Sequence, residues 1–342
     1  MKRLLFASAA SAALFTASAA AAQTEIQWWH AFTGRLGELL NAQAEKFNAM
    51  QDEYVVVPTH KGNYSETLNA GIAAFRAGEP PHILQVFEVG TATMMGARGA
   101  IVPVHEMMAA AGSPIQPEEF LASVTGYYTT PEGEMLSMPY NSSTPVLYVN
   151  EALLAEANIP ADIRLETWPQ VAEVLHELAA AGVACPMTST WQSWIHLENF
   201  SAYHNVPFAT ESNGFGGLDT ELAFNGPLQI AHISALGEWA QDGKFIYAGR
   251  RSEAGARFRA GECALMTESS AGYAGVKAEA DFPFQIRPLP YWPAAEDAPQ
   301  NTIIGGASLW VMAGHSDEEY EGVAAFFDFL SSPTVQAQWH QD

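Results

Sequence analysis

The chain has 342 residues, 48% of them hydrophobic and only 15% charged, with 9 Trp and 18 Phe, enough length and apolar content for two domains with sizeable cores. Its formal net charge of −23 argues against nucleic acid or an anionic membrane as a partner, because both require basic surface.

Residues 1–22 read as a signal peptide. Lys2 and Arg3 form the charged start, residues 4–17 the apolar region, and Ala20, Ala21 and Ala22 a small-residue cleavage site. An N-terminal membrane anchor is the alternative, but the apolar run is shorter than a span. No comparable run follows, so the mature chain is expected to be soluble and exported. The two cysteines, Cys185 and Cys263, lack metal-ligand spacing. An oxidising compartment permits a disulfide, yet two cysteines in so long a chain do not require one. Burial as small apolar residues is the expectation.

Strands are predicted at 24–29, 54–58 and 82–87, the last ending at Glu88. Between them, residues 34–50 place Leu36, Leu40, Ala44 and Phe47 on one helical face. Asn63 and Glu66 have capping-box spacing ahead of a helix with Tyr64, Leu68, Ile72 and Phe75 inward. This β-α-β-α-β order predicts a sheet with helices on both faces. Short helices are expected at 91–97, 105–111 and 118–125.

Residues 138–144 are bounded by Pro139 and Pro145 and carry Tyr140, Asn141, Ser142, Ser143 and Thr144. Proline limits sheet pairing, so the segment reads as a polar loop or as one wall of a cleft, between strands at 135–138 and 144–149. Further helices are predicted at 151–157, at 167–181 with Thr167 as N-cap and Gly182 as stop, and at 228–241 with Ile230, Ile233 and Leu236 inward. Trp191 and Trp194 lie three apart and would share a helical face. They suit either the core or stacking on a ligand, including cation–π contact with a quaternary ammonium. Gly305 and Gly306 near the start of a strand at 301–312 allow close approach by a ligand, or a plain bulge. Helices at 317–330 and from 333 onward close the chain.

No H-E-x-x-H, paired C-x-x-C, G-x-S-x-G or G-x-x-x-x-G-K-[ST] motif occurs, which lowers the expectation of an enzyme. The ten His are scattered, and His30 reads as structural. No cofactor and no metal are expected.

Taken together, several blocks resemble one family. They are Trp28-Trp29-His30, Lys61-Gly62-Asn63-Tyr64, Val86-Phe87-Glu88-Val89-Gly90-Thr91-Ala92, the 138–150 stretch, Trp191-Gln192-Ser193-Trp194 and Ile304-Gly305-Gly306-Ala307-Ser308. The chain is similar throughout its mature length to the extracellular solute-binding proteins of ABC transporters, the family that includes maltose-binding protein. Within it, these blocks match the branch that takes sn-glycerol 3-phosphate. The resemblance implies an α/β fold of two lobes with a ligand cleft between them, and no catalysis. Lobe 1 would comprise 23–139 and 302–335, lobe 2 residues 140–301, with hinge closure about crossings near Tyr140 and Asn301.

The implied ligand residues are Tyr64, Glu88, Ser143, Trp191, Trp194, Ser269 and Gly306. Tyr64, Ser143 and Ser269 would donate hydroxyl hydrogen bonds to phosphate, and Gly306 a backbone N–H. Glu88 would accept from glycerol hydroxyls, and the two Trp would cover an apolar edge. The implied partners are a small phosphorylated polyol and inner-membrane permease subunits, with the protein itself a monomer. The family continues past this C-terminus with a Gly-Tyr segment and an Arg that help bind phosphate, so the resemblance also implies that the sequence is a fragment. Two alternatives stand beside this reading: an oligosaccharide-binding protein, and a secreted phosphodiesterase or glycosidase.

Overall fold

The computed structural model describes residues 23–130, 132–214, 216–217 and 219–341, and the expected leader lies outside them. Strand β1 (Thr24–His30) is followed by helix α1 (Gly34–Asn48), which buries Gly37, Leu40, Ala44 and Phe47 and keeps Leu36 at the edge of the same core. The β-branched run of β2 (Tyr54–His60) lies parallel to β1, from Thr24 beside Tyr54 to His30 beside His60. Helix α2 (Tyr64–Ala77) opens with a capping box: the Asn63 side chain accepts from the N–H groups of Ser65 and Glu66, and the Asn63 N–H donates to Glu66.

The inner face of α2 differs from the predicted stripe. Thr67 and Gly71 are buried, and Phe75 is 36% exposed. A side chain at Gly71 would meet Leu84 Cδ2 at 2.4 Å, so the helix approaches β3 (Ile83–Phe87) on its glycine face. Short helices Thr91–Gly96, Val104–Ala110 and Ala122–Tyr128 surround β4 (Ile101–Val102). The helix predicted from 118 begins later, after a 3₁₀ turn at Pro117–Glu119.

The proline-bounded stretch is strand, not free loop: β5 runs Met138–Ser143. The chain then crosses at Thr144 into a second sheet. There, β6 (Pro145–Asn150), β7 (Met187–Ser189), β8 (Phe245–Ile246), β9 (Leu265–Ser269) and β10 (Phe284–Arg287) are ordered β10-β6-β9-β7-β8. The helix Trp168–Ala180, capped by Thr167 and Gln170, packs Trp168, Val171, Leu175 and Leu178 on Leu147, Val149 and Leu265. Strand β11 (Gly305–Met312) returns to the first sheet, whose order is β2-β1-β3-β11-β4, with β5 also paired to β11. First-sheet pairing thus reaches Ser143, past the expected boundary at 139. The helix Asp317–Ser331 completes the first core, setting Phe326 edge-on against Trp28 and Phe47.

Two further expectations are corrected. Cys185 and Cys263 form a disulfide. The parallel register of β7 and β9 sets Met187 beside Leu265, and each cysteine stands two residues upstream of its strand's partner, so the sheet itself juxtaposes them. The helix Pro227–Gln241 turns Gln229, His232, Leu236 and Trp239 inward and leaves Ile230 and Ile233 55% and 43% exposed, the reverse of the apolar pattern. Its buried polar groups have partners: Gln229 donates to the Pro207 carbonyl, and His232 lies between His196 and the Trp292 indole at 3.0 and 3.1 Å.

Candidate functional site

Where β5 meets β11, Gly305 faces Ser143 and Gly306 faces Ser142. Gly306 has φ +130°, and a Cβ there would lie 2.0 Å from the Asn141 carbonyl oxygen, so only glycine fits. The adjoining glycine has a different neighbour: a Cβ on Gly305 would come within 2.5 Å of the Trp194 ring. The glycines therefore serve close approach both to backbone and to an aromatic face.

The Gly306 N–H donates to Glu88 Oε2 at 3.1 Å. Glu88 starts the 3₁₀ turn Glu88–Gly90 at the end of β3. The Tyr64 ring stacks on Phe87 with centroids 5.3 Å apart and planes 5° apart. Asn141 is steered by Gln85, whose Nε2 donates to it at 3.4 Å. Tyr127 donates to the Glu88 carbonyl at 3.1 Å.

From the second sheet, Ser269 at the end of β9 donates its hydroxyl to Ser143 Oγ at 2.8 Å. The next residue, Ser270, accepts the Thr144 N–H at 3.2 Å. Trp194 is buried in a π-helix, Trp194–Asn199, and its indole N–H has no acceptor among the described residues. A buried unpaired donor costs roughly 1–3 kcal/mol, so this N–H favours any acceptor brought into the junction. Trp191 does not share a helical face with Trp194. It precedes the helix at φ +47°, and its N–H donates to the Arg251 carbonyl at 2.9 Å. Its side chain packs at the edge of the cluster formed by Trp194, Ile195 and Leu289.

The carboxylates here are held back from ionising. Burial pushes Glu88 up to about 7, against the opposing pull of the hydrogen bond from Gly306, and Glu198 adds repulsion. Burial raises Glu198 as well. Glu268 is also pushed up to about 7 by burial, offset in part by Thr190 and by the Ser269 N–H. Near neutral pH Glu88 and Glu268 are thus partly protonated, which weakens the repulsion an anion would meet.

The structure thus brings Tyr64, Glu88, Ser143, Trp194, Ser269 and Gly306 to one junction between the sheets and attaches Trp191 at its side. Sequence reasoning missed Tyr127, Glu198, Arg251 and Glu268 as neighbours, since none sits in a motif and each is placed by tertiary packing. Away from the junction, His82, His315 and Glu319 come within metal-binding range of one another. His82 Nδ1 accepts the Gln27 N–H at 2.9 Å, so its Nε2 bears the proton donated to Glu319 at 3.1 Å. His315 Nε2 likewise bonds the Pro81 carbonyl at 3.1 Å. These tautomers suit a hydrogen-bonded group rather than a metal centre.

A family model described as bacterial extracellular solute-binding protein matches residues 42–342. The chain is 50% identical over 323 residues to the sn-glycerol-3-phosphate-binding periplasmic protein UgpB of Rhizobium meliloti (strain 1021), covering 94% of this chain and 74% of that protein. It is 46% identical over 343 residues to the protein of the same name from Escherichia coli O6:K15:H31, covering 100% and 78%. Among solved structures, UgpB from Mycobacterium tuberculosis in complex with glycerophosphocholine superposes with a TM-score of 0.77 at 22% identity, covering 93% of this chain and 80% of that one. Maltose-bound T. maritima MalE3 gives a TM-score of 0.75 at 19% identity, covering 92% and 78%. These two likenesses speak to the fold alone, which is that of two-lobe periplasmic binding proteins. With the family model spanning most of the chain and close relatives matching nearly all of it, the protein belongs to the bacterial extracellular solute-binding proteins.

Proposed function

We propose that this protein is the periplasmic substrate-binding component of an ABC importer and captures sn-glycerol 3-phosphate, glycerophosphodiesters such as glycerophosphocholine, or both. The observation that carries the reading is the junction itself, where hydroxyls from both sheets meet at Ser143 and Ser269 beside Gly306 and Glu88. The ligand class is supported by the near-complete match to proteins named for sn-glycerol 3-phosphate. Ser143, Ser269 and Tyr64 donate to phosphate oxygens, and the Gly306 N–H joins them when Glu88 turns to the glycerol hydroxyls. Trp194 and Trp191 cover the apolar edge.

The lobes, 23–143 with 302–335 and 145–301, close about Thr144 and the return segment near Asn301. The closed protein, a monomer without catalytic activity, docks on inner-membrane permease subunits after its leader is cleaved near Ala22. Calorimetric titration with sn-glycerol 3-phosphate, glycerophosphocholine and maltose tests this. Saturable binding of one or both glycerol phosphates is expected, and a response to maltose alone contradicts it.

A further inference from the structure

Several arginines of this acidic chain are neutralised at short range, as Arg257 and Arg259 are by Glu262 and Glu279 at 2.8 Å. Arg251 differs. Its guanidinium Nη2 donates to the neutral hydroxyl of Ser65 at 3.1 Å, and among the described residues no ion pair holds it. Arg251 lies in the loop that follows β8, and Ser65 in the first turn of α2, so this hydrogen bond runs from one sheet's side of the junction to the other.

Both ends are fixed to the candidate site. The Arg251 carbonyl accepts the Trp191 N–H at 2.9 Å, and the Gly249 carbonyl accepts from Gln192 at 2.9 Å. Glu253 engages the Arg251 backbone N–H at 2.6 Å and not the guanidinium. On the facing side, Ser65 follows Tyr64 directly. The N–H groups of Ser65 and Glu66 are taken by the Asn63 side chain, so this helix end offers an anion little backbone. Lys61, the other cation on that rim, lies over the Trp29 ring at 3.8 Å.

We propose that Arg251 is a cationic contact for the phosphate of the ligand, resting on Ser65 until an anion takes its place. The inference rests on the capture reading above and adds a residue to it. A guanidinium fork matches phosphate oxygens, and a charged acceptor outcompetes a serine hydroxyl for it. In a chain of net charge −23 an anion needs such local positive charge. Because its loop also holds Trp191, the same group would carry that ring onto the ligand as the sides close.

The test is calorimetric titration of wild type, Arg251→Gln, Arg251→Lys and Arg164→Gln with sn-glycerol 3-phosphate at low and high NaCl, with melting temperatures recorded for all four. Arg164 is an exposed control paired with Glu166. Losing a charge-assisted hydrogen bond should raise Kd roughly 10- to 100-fold in Arg251→Gln. Arg251→Lys should lie between that variant and wild type, and Arg164→Gln should match wild type. The salt dependence of Kd should flatten in Arg251→Gln alone. Unchanged Kd in Arg251→Gln with a wild type that binds overturns this inference and leaves the capture reading standing. A wild type silent to the ligand overturns both.

Discussion

Ser269 donates its hydroxyl to Ser143 at 2.8 Å, one residue ending β9 of the second sheet and the other ending β5 of the first. Ser269 also accepts the Ala271 N–H at 3.1 Å, and the two hydroxyls are placed to turn together to a shared acceptor. Replacing either with Ala should leave the melting temperature within a degree or two. It should also weaken glycerol phosphate binding by about 0.5–1.5 kcal/mol, the usual worth of a neutral hydrogen bond. The double variant should fall short of the sum of the singles, because the pair shares one partner. Full additivity in a double-mutant cycle would argue that they act at separate places.

Gly306→Ala should damage both stability and binding. Its φ of +130° costs a non-glycine residue about 1–3 kcal/mol, before the 2.0 Å approach to the Asn141 carbonyl is counted. Thermal unfolding should show a clear drop in melting temperature. A variant as stable as wild type, with β5 and β11 still paired, would contradict the account of this crossing.

The Cys185–Cys263 bridge closes a sequence separation of 78 residues within the second sheet. On the chain-entropy account a loop of this size contributes on the order of 4 kcal/mol. Replacing both cysteines with serine should lower the denaturant midpoint without changing ligand affinity, since both residues are buried away from the junction. An unchanged midpoint would mean that the bridge does little for stability.

Acid and base should each erode stability, through different residues. Burial raises Glu88 and Glu268 to about 7 from an ordinary 4.5, so the folded state holds their protons more tightly than the unfolded chain. Their contribution is full below 4.5 and is lost as pH rises through about 7. His196 is lowered to about 3 by burial, and His232 is lowered for the same reason. Here the unfolded chain binds more protons, so stability falls as pH drops below 6.5 and continues to fall toward 3. Unfolding across pH should therefore show a maximum between these limbs, and Glu88→Gln should soften the alkaline limb.

Binding should report the same group. As Glu88 ionises through about 7, an anion at the junction meets growing repulsion, so affinity for a phosphodiester should decline on raising pH. A diester is the right probe because it does not itself titrate there. Glu88→Gln should flatten the profile, and a slope identical to wild type would remove Glu88 from the ligand's surroundings.

Local signals in the sequence were enough for the first β-α-β-α-β run and the capping box at Asn63 and Glu66, because each depends on neighbours a few residues apart. Tertiary pairing was not legible. Prolines at 139 and 145 suggested a loop, yet the segment from Met138 to Ser143 lies off the main sheet path, where β11 alone pairs with it. Periodicity turned Ile230 and Ile233 inward, but His232 and Gln229 have partners on other elements and take that face instead. The spacing of Trp191 and Trp194 suggested a shared face, whereas a positive φ at Trp191 starts the helix after it. The site residues named by resemblance meet at one junction, and Arg251, which no local pattern marks, was visible only once α2 and the loop after β8 were seen to touch.

The central claim, that the junction of the two sheets captures glycerol phosphates, is tested most directly by titrating sn-glycerol 3-phosphate into wild type and the Ser143→Ala, Ser269→Ala double variant while following tryptophan fluorescence. The account predicts a saturable change in wild type, arising from Trp191 and Trp194, and affinity several-fold weaker in the double variant. Equal affinity in the two proteins would contradict it and place the ligand elsewhere on the molecule.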